Sequence, residues 1–173
     1  MLKKIAIGIL AYNEESHIEN VLNEILTLKK DVYVLNDSST DKTMKILEKM
    51  NISKNFTIIN NLKNEGAGNS TLKLIETIKN DGFDFVIKVD GDNQFKLEDI
   101  NKIIKLHEDN DYDFIKSNRF WERGIEGKIP RRRYFGNLFA TIMLQFISGT
   151  NKLYDPLNGL FGINVKVLNF INK

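Results

Sequence analysis

Apolar residues recur with two different periods along the first two-thirds of the chain. Short runs rich in β-branched residues predict strands, and segments with apolar positions three or four residues apart predict helices. The predicted strands are Lys3–Leu10, Val32–Asn36, Phe56–Asn60, Phe83–Asp90 and Phe114–Ser117. The predicted helices are Ser16–Leu28, Asp41–Met50, Ser70–Ile78 and Leu97–Leu106. This alternation predicts an α/β fold with a mainly parallel central sheet and helices on both faces.

The pattern changes after residue 118, where basic side chains dominate residues 119–133. They are Arg119, Arg123, Lys128, Arg131, Arg132 and Arg133. A solvated run and a site for an anionic partner, such as a lipid headgroup, both fit this segment. A predicted helix then runs from Arg131 or Arg132 to about Ser148, followed by a short strand at Gly159–Ile163 and a final helix from Val165. The apolar residues of the longer helix predict a face buried in the core, with membrane contact as the alternative: Phe135, Leu138, Phe139, Ile142, Phe146 and Ile147.

Composition narrows the function classes. At 173 residues, without a repeat or a low-complexity linker, the chain is expected to form one domain over 1–173. A net charge of +2 argues against nucleic acid as a partner, and the absence of cysteine excludes disulfides and thiolate sites. The apolar N-terminus, Met1–Ala11, is expected to be a core strand because no small-residue cleavage site follows it. No stretch reaches the ~18 consecutive apolar residues of a spanning helix, so no membrane-spanning segment is predicted. The absence of cysteine fits the cytoplasm, where the protein is expected to lie.

A polar or glycine-rich cluster follows every one of the five predicted strands. The clusters are Tyr12–Glu15, Asn36–Asp41, Asn64–Gly68, Asp90–Asp92 and Asn118–Arg119. Helix capping accounts for residues such as Ser38 and Asp41, but not for the abundance of Asn, Asp and Glu at all five positions. Since ligands of open α/β sheets bind outside the carboxyl ends of the strands, a ligand site is predicted at this edge.

The sequence Asp90-Gly91-Asp92 is the most informative of these clusters. Residues i and i+2 of an extended segment point the same way, so the two carboxylates are predicted to converge. Gly91 is expected to let the backbone turn and to leave room for a ligand. Hard carboxylate oxygens suit Mg2+ or Mn2+ bound together with substrate phosphates. The alternative is an acidic turn after a buried strand.

In order and spacing, these clusters resemble the family 2 glycosyltransferases, which have the Rossmann-like GT-A fold. The branch containing dolichyl-phosphate mannosyltransferase and bacterial polyprenyl-phosphate sugar transferases is the most similar. The resemblance covers Ile5 to about Val167 and rests on Ala11–Glu14, Asn36–Thr43, Asn64–Ser70, Asp90–Gln94, Ser117–Arg119, Arg133–Asn137 and Asp155–Phe161. Three features depart from the family pattern. Asn36 replaces an Asp, Ser38 replaces a Gly that normally takes the turn, and a later glycine usual in the helix that starts at Asn64–Ser70 is missing.

The resemblance implies a role for each candidate site residue. The implied nucleotide-binding residues are Ala11, Tyr12, Asn13, Glu14, Asp37, Gly66, Asp90 and Gly91. The implied ligands of Mg2+ or Mn2+ are Asp90, Asp92 and Gln94. The implied catalytic residues are Asp92, Arg119, Arg133 and Asp155.

The implied reaction is inverting, metal-dependent transfer of a sugar from a GDP- or UDP-sugar to a polyprenyl phosphate, at the inner face of the membrane. Arg119 and Arg133 would bind the acceptor phosphate or the diphosphate. One alternative is transfer to a saccharide hydroxyl of a surface polysaccharide, with Asp155 as the base. A second is a nucleotide-binding module without turnover. Members of this branch often continue into membrane-associated helices, so a chain that ends at Lys173 is expected to be a truncated or a minimal form.

Overall fold

The computed structural model describes residues 3–118, 138, 140–143, 145–147, 149 and 154–171. The strands are β1 (Ile5–Ala11), β2 (Asp31–Asn36), β3 (Thr57–Asn60), β4 (Phe85–Asp90), β5 (Phe114–Lys116) and β6 (Phe161–Asn164). The longer helices are α1 (Ile18–Leu26), α2 (Thr43–Asn51), α3 (Gly66–Asn80) and α4 (Leu97–Asn110). A 3-10 turn, Val165–Val167, leads into a short helix, Leu168–Ile171, and residues 138, 140–143 and 145–147 are helical.

The six strands form one sheet in the order β3-β2-β1-β4-β6-β5. β1 pairs in parallel with β2 and β4, and β2 pairs in parallel with β3. β6 is antiparallel to β4. The prediction of a mainly parallel sheet is therefore confirmed, and β1 to β4 all end at the same edge.

Helices cover both faces of this sheet, as the alternation along β1 shows. Ile5, Ile7 and Ile9 enter a buried cluster with residues of α1, α2 and α4. Ala6 and Leu10 face the other way, into a cluster with residues of α3. Because successive side chains of a strand alternate between its faces, a strand apolar on both sides has to be covered on both.

The helix α3 begins four residues before the position that periodicity predicts. The apolar spacing predicts a start at Ser70, whereas the helix begins at Gly66. The carboxylate of Asp37 accepts hydrogen bonds from the backbone N–H groups of Glu65 (2.9 Å) and Gly66 (3.0 Å). A distant side chain thus satisfies donors that a helix start leaves free, and apolar periodicity carries no signal of it.

The helix α4 extends one turn beyond its predicted end at Leu106, to Asn110. The apolar pattern continues through His107, which is 1% exposed and stacks on the ring of Phe85 at 3.7 Å between centroids. The helix ends where Asp111 adopts the left-handed conformation, with φ 54°. Because a histidine stands where the pattern would have an apolar residue, hydrophobic periodicity does not predict this last turn.

The chain divides into two compact units, Met1–Ile115 with Leu160–Lys173, and Lys116–Gly159. Within the second unit, Lys116 Nζ donates a hydrogen bond to the carbonyl oxygen of Asn158 (2.6 Å). The Asn158 amide donates in turn to the carbonyl oxygen of Ser117 (3.0 Å). The single catalytic domain expected over 1–173 stays a prediction.

The predicted core face of the long helix in the second unit is exposed instead. Leu138, Ile142, Phe146 and Ile147 are 42%, 57%, 87% and 72% exposed, while Phe135 and Phe139 lie outside the described residues. The prediction of a buried face was therefore wrong for the four residues described. Helical periodicity detects an apolar stripe but cannot tell a covered stripe from an open one. Among the helices that the structure describes, none is long and apolar enough to cross a membrane.

Packing between the sheet and α4 gives a first stability prediction. A Cβ atom at Gly162 would lie 2.5 Å from Cζ of Phe85 and 2.7 Å from Cγ2 of Ile103. We expect Gly162→Ala to lower the free energy of unfolding by about 1–3 kcal/mol, measured by urea denaturation, because neither buried neighbour has room to move. Gly68→Ala is the matched control, since its Cβ would meet nothing within 4 Å and alanine favours the helix. Equal stabilities of the two variants would contradict this account of the packing.

Candidate active site

The loops that follow β1 to β4 lie side by side at one edge of the sheet. Backbone hydrogen bonds of 2.9 Å continue the pairing past the strand ends, from Gly91 to Leu10, from Asp37 to Ala11 and from Asn61 to Asn36. The structure thus brings together four of the five predicted polar clusters, those that follow β1, β2, β3 and β4.

Reciprocal hydrogen bonds join the loops after β1 and β2. The backbone N–H of Asn13 donates to Ser39 Oγ (3.0 Å), and that of Glu14 donates to Thr43 Oγ1 (2.8 Å). In return, Asn13 Oδ1 accepts a hydrogen bond from the N–H of Thr40 (2.8 Å). The Asn13 amide oxygen therefore positions the second loop, and the nucleotide contact expected of Asn13 stays a prediction.

Three of these loops contain a residue other than glycine in the left-handed region. Asn13, Ser38 and Asn93 have φ values of 57°, 59° and 59°. Ser38 adopts this conformation although it replaces the glycine of the family pattern, at a cost of about 1–2 kcal/mol. Surrounding hydrogen bonds have to hold such residues in place, and backbone strain of this kind clusters at functional sites.

Asp37 is a buried anchor beneath these loops, only 2% exposed. Asp37 Oδ1 accepts hydrogen bonds from Asn61 Nδ2 (2.8 Å) and the Glu65 N–H (2.9 Å), and Oδ2 accepts one from the Gly66 N–H (3.0 Å). Burial raises the pKa of Asp37, but hydrogen bonds from Glu65, Asn61, Ser70 and Gly66 outweigh it, so the pKa lies below its ordinary value. The described contacts give Asp37 a loop-holding role, and its contact with the nucleotide stays a prediction.

A buried polar network extends from Asp37 into α3, and sequence analysis missed it. The side chain of Asn61, 1% exposed, also donates to Ser70 Oγ (2.9 Å) and accepts from Lys73 Nζ (2.6 Å). The pair Asn60-Asn61 after a strand was its only signal in the sequence, and such pairs are also typical of turns. The network fixes the start of α3 beside the second loop.

The residues of the Asp90–Gln94 segment lie at the exit of β4. Asp90 and Asp92 are half-buried, Gln94 is exposed, and Asp92 Oδ1 accepts a hydrogen bond from the N–H of Gln94 (3.1 Å). Gly91 lies in the turn that follows β4, as expected, although its φ is outside the left-handed region. A Cβ there would lie 3.2 Å from Cγ of Glu14, so the missing side chain makes room for Glu14.

Glu14 is a third carboxylate beside this segment. Partial burial and the charge of Asp92 raise its pKa, His17 lowers it, and the charges of Asp90 and Asp41 add to the rise. Both aspartates therefore lie close enough to oppose ionisation of Glu14. Sequence analysis expected Glu14 to contact the nucleotide, and its position beside the two aspartates was not foreseen.

The carboxylates at the exit of β4 fit part of a divalent-metal site. Partial burial and the charges of Asp92 and Asp90 raise the pKa of Glu14, and a bound cation would reduce this repulsion among the carboxylates. Across residues 3–118 and the other described positions, no three His, Asp or Glu side chains are arranged to hold a metal by themselves. A pair of carboxylates completed by substrate phosphates is the arrangement that suits Mg2+ or Mn2+.

Lys88 is a further site residue that sequence analysis missed. It is 5% exposed, and its Nζ forms an ion pair with Oδ1 of Asp90. The sequence signal was a lysine inside an otherwise apolar strand, two residues before Asp90 and therefore on the same face.

The structure describes only one of the three remaining predicted catalytic residues. Arg119 and Arg133 are outside the described residues. Asp155, in the second unit, is 2% exposed and has φ 51°, and its carbonyl oxygen accepts a hydrogen bond from the N–H of Asn158 (3.2 Å). Tyr12 is 46% exposed at the exit of β1, where its side chain is open to a ligand.

Comparisons with solved structures identify the fold. A solved structure of glucosyl-3-phosphoglycerate synthase from Mycobacterium tuberculosis, with Mn2+, UDP-glucose and phosphoglyceric acid, has a TM-score of 0.72. It is 20% identical, and the match covers 96% of this chain and 58% of that chain. Such a likeness establishes the fold, and the GT-A prediction is confirmed.

Sequence relatives identify the family. An uncharacterized protein of Methanocaldococcus jannaschii is 34% identical over 136 residues, covering 77% of this chain and 57% of that protein. The UDP-N-acetylglucosamine–dolichyl-phosphate N-acetylglucosaminyltransferase of Methanococcus voltae is 24% identical over 185 residues, covering 99% of this chain and 73% of the enzyme. The model of the family "Glycosyl transferase family 2" matches residues 6–170. The chain therefore belongs to glycosyl transferase family 2.

Proposed function

We propose that this chain is the catalytic domain of an inverting, metal-dependent glycosyltransferase that moves a sugar from a GDP- or UDP-sugar to a polyprenyl phosphate. The observation that carries the proposal is the pair Asp90 and Asp92 at the exit of β4, beside the loops after β1 and β2. The match to the Methanococcus voltae enzyme over 99% of the chain supports a lipid phosphate as the acceptor.

At the donor end, Asp90 and Asp92 would hold Mg2+ or Mn2+, with Gln94 as a neutral third ligand. The bound ion would offset the negative charge that develops on the leaving diphosphate. The loop around Tyr12 and Asn13 would hold the nucleoside, because it lies next to Glu14 and the β4 exit.

At the acceptor end, a lipid phosphate is already anionic and needs no general base to attack the anomeric carbon. Positioning and charge stabilisation are then sufficient, and attack from the face opposite the diphosphate inverts the linkage. Arg119 and Arg133 are proposed to hold the acceptor phosphate or the diphosphate, because guanidinium groups bind phosphate in a bidentate manner.

Exposed apolar residues support a lipid substrate and peripheral contact with the inner face of the membrane. Phe146 and Ile147 are 87% and 72% exposed on one helix. The basic residues between 119 and 133 precede this helix in the sequence, and anionic headgroups attract such segments.

The alternatives differ in what they require of the site. Transfer to a saccharide hydroxyl needs a base, and the candidate, Asp155, is only 2% exposed. Asp90, Asp92 and Gln94 together suit a metal that offsets charge on a leaving diphosphate, which argues for an enzyme over a module without turnover. The first consideration favours a phosphate acceptor, and the second favours turnover.

Transfer of radiolabelled sugar tests the proposal. We expect label from one GDP- or UDP-sugar to enter the organic phase when Mn2+ and a short polyprenyl phosphate are present, with the anomeric configuration inverted in the NMR spectrum of the product. Label found only in an added saccharide would favour the first alternative. Nucleotide binding without transfer to either acceptor would favour the non-catalytic module.

A further inference from the structure

Lys88 lies in a position where a charged side chain is unusual. It is on β4, a central strand, beside Gly8 of β1 and Phe161 of β6 in the strand register. Val86, two residues earlier and on the same face, packs in the cluster that contains α3. A lysine 5% exposed at such a position is costly unless a carboxylate pairs with it.

The partner of Lys88 is one of the two carboxylates proposed to bind the metal. Its Nζ pairs with Oδ1 of Asp90, and the two side chains are 6% and 41% exposed. The ammonium group of Lys88 is therefore buried, while the carboxylate of Asp90 reaches the surface of the site. The pair restricts the rotation of Asp90 and places a positive charge directly behind it.

Among the described residues, two further carboxylates lie near this pair, those of Asp92 and Glu14. Cγ of Glu14 would lie 3.2 Å from a Cβ atom at Gly91, so Glu14 lies against the residue between Asp90 and Asp92. Lys88 cancels one of these charges at Asp90. In the absence of nucleotide, the net negative charge that attracts a divalent cation is therefore smaller than the number of carboxylates suggests.

We propose that Lys88 is a positioning residue that fixes and neutralises Asp90, so that the protein binds a divalent ion tightly only together with a nucleoside diphosphate. This inference rests on the proposed function, in which Asp90 is a metal ligand. The diphosphate restores the negative charge that Lys88 removes. Metal and nucleotide then enter the site together, and the carboxylates alone do not retain a free ion.

Mn2+ binding to Lys88→Gln tests the inference, with free Mn2+ measured by electron paramagnetic resonance. Without nucleotide, we expect Lys88→Gln to bind Mn2+ about tenfold or more tightly than the wild type, because a repelling charge near the ion is gone. Adding UDP or GDP should then strengthen Mn2+ binding less than it does in the wild type. A merely structural role would give the opposite result, since a loosened Asp90 binds the ion more weakly.

Three further variants control the experiment. Lys45→Gln removes the same charge from an exposed position on α2, and we expect wild-type Mn2+ binding. Lys88→Arg keeps the charge and should retain weak binding of the free ion. Lys88→Met repeats the neutralisation with a side chain suited to burial, in case Lys88→Gln does not fold.

The outcomes separate this inference from the proposed function. Unchanged or weaker Mn2+ binding by folded Lys88→Gln or Lys88→Met overturns the inference, while nucleotide-dependent Mn2+ binding by the wild type leaves the proposed function standing. A wild type that binds no Mn2+ even with UDP or GDP overturns the metal site, and the inference with it.

Discussion

Replacing Asp92 by Asn is expected to lower the rate of sugar transfer by about 10²–10³-fold, the usual effect of removing one group that stabilises developing charge. The variant should keep its stability within about 0.5 kcal/mol, because Asn can still accept the hydrogen bond that Asp92 Oδ1 receives from the N–H of Gln94. Transfer is measured with radiolabelled donor, and stability by urea denaturation.

Asp109→Asn provides the control for Asp92→Asn, since Asp109 is exposed on α4 and takes no part in the proposed site. We expect this control to match the wild type in both assays. Transfer by Asp92→Asn within about threefold of the wild-type rate would contradict the assignment of Asp92 to the catalytic site.

Replacing Asp37 by Asn is expected to lower the free energy of unfolding by about 2–4 kcal/mol at pH 7. The carboxylate accepts hydrogen bonds from Asn61, Glu65 and Gly66, and an amide nitrogen in place of one oxygen leaves buried donors without an acceptor. Asp109→Asn again serves as the control. A loss below about 0.5 kcal/mol would contradict the role of Asp37 as the anchor of α3.

The effect of Asp37 should also depend on pH. Its pKa is lower in the folded state, so its ionisation stabilises the protein above the unfolded-state pKa, and this contribution is lost as the pH falls through the folded-state pKa. The difference between wild type and Asp37→Asn should therefore narrow below about pH 4. A difference that stays constant from pH 7 to pH 3 would show that the charge of Asp37 contributes nothing.

The sequence was sufficient to predict the fold class because hydrophobic periodicity reports directly on burial. Along β1, apolar residues on both faces require helices on both sides of the sheet, and the structure has them. Periodicity failed where burial depended on distant residues. The carboxylate of Asp37 starts α3 earlier than the apolar spacing suggests, and the stripe containing Phe146 is exposed although its spacing is that of a core helix.

The candidate site was predictable only at the level of strand ends. The parallel sheet fixes where Asp90 and Asp92 lie, since their strand ends at the same edge as its neighbours. Contacts between side chains of different loops leave no periodic signal. The network through Asn61, the ion pair of Lys88 and the approach of Glu14 to Gly91 therefore emerged only from the structure.

Release of free nucleoside diphosphate from a panel of GDP- and UDP-sugars is the decisive test of the proposed transferase activity. The reaction is run with Mn2+ or with a chelator, and with or without a short polyprenyl phosphate. We expect release from one donor, and this release should require the metal and rise when the lipid phosphate is added. The proposed function would be contradicted by release that depends neither on the metal nor on the lipid phosphate. It would also be contradicted if no donor is bound and none releases nucleoside diphosphate.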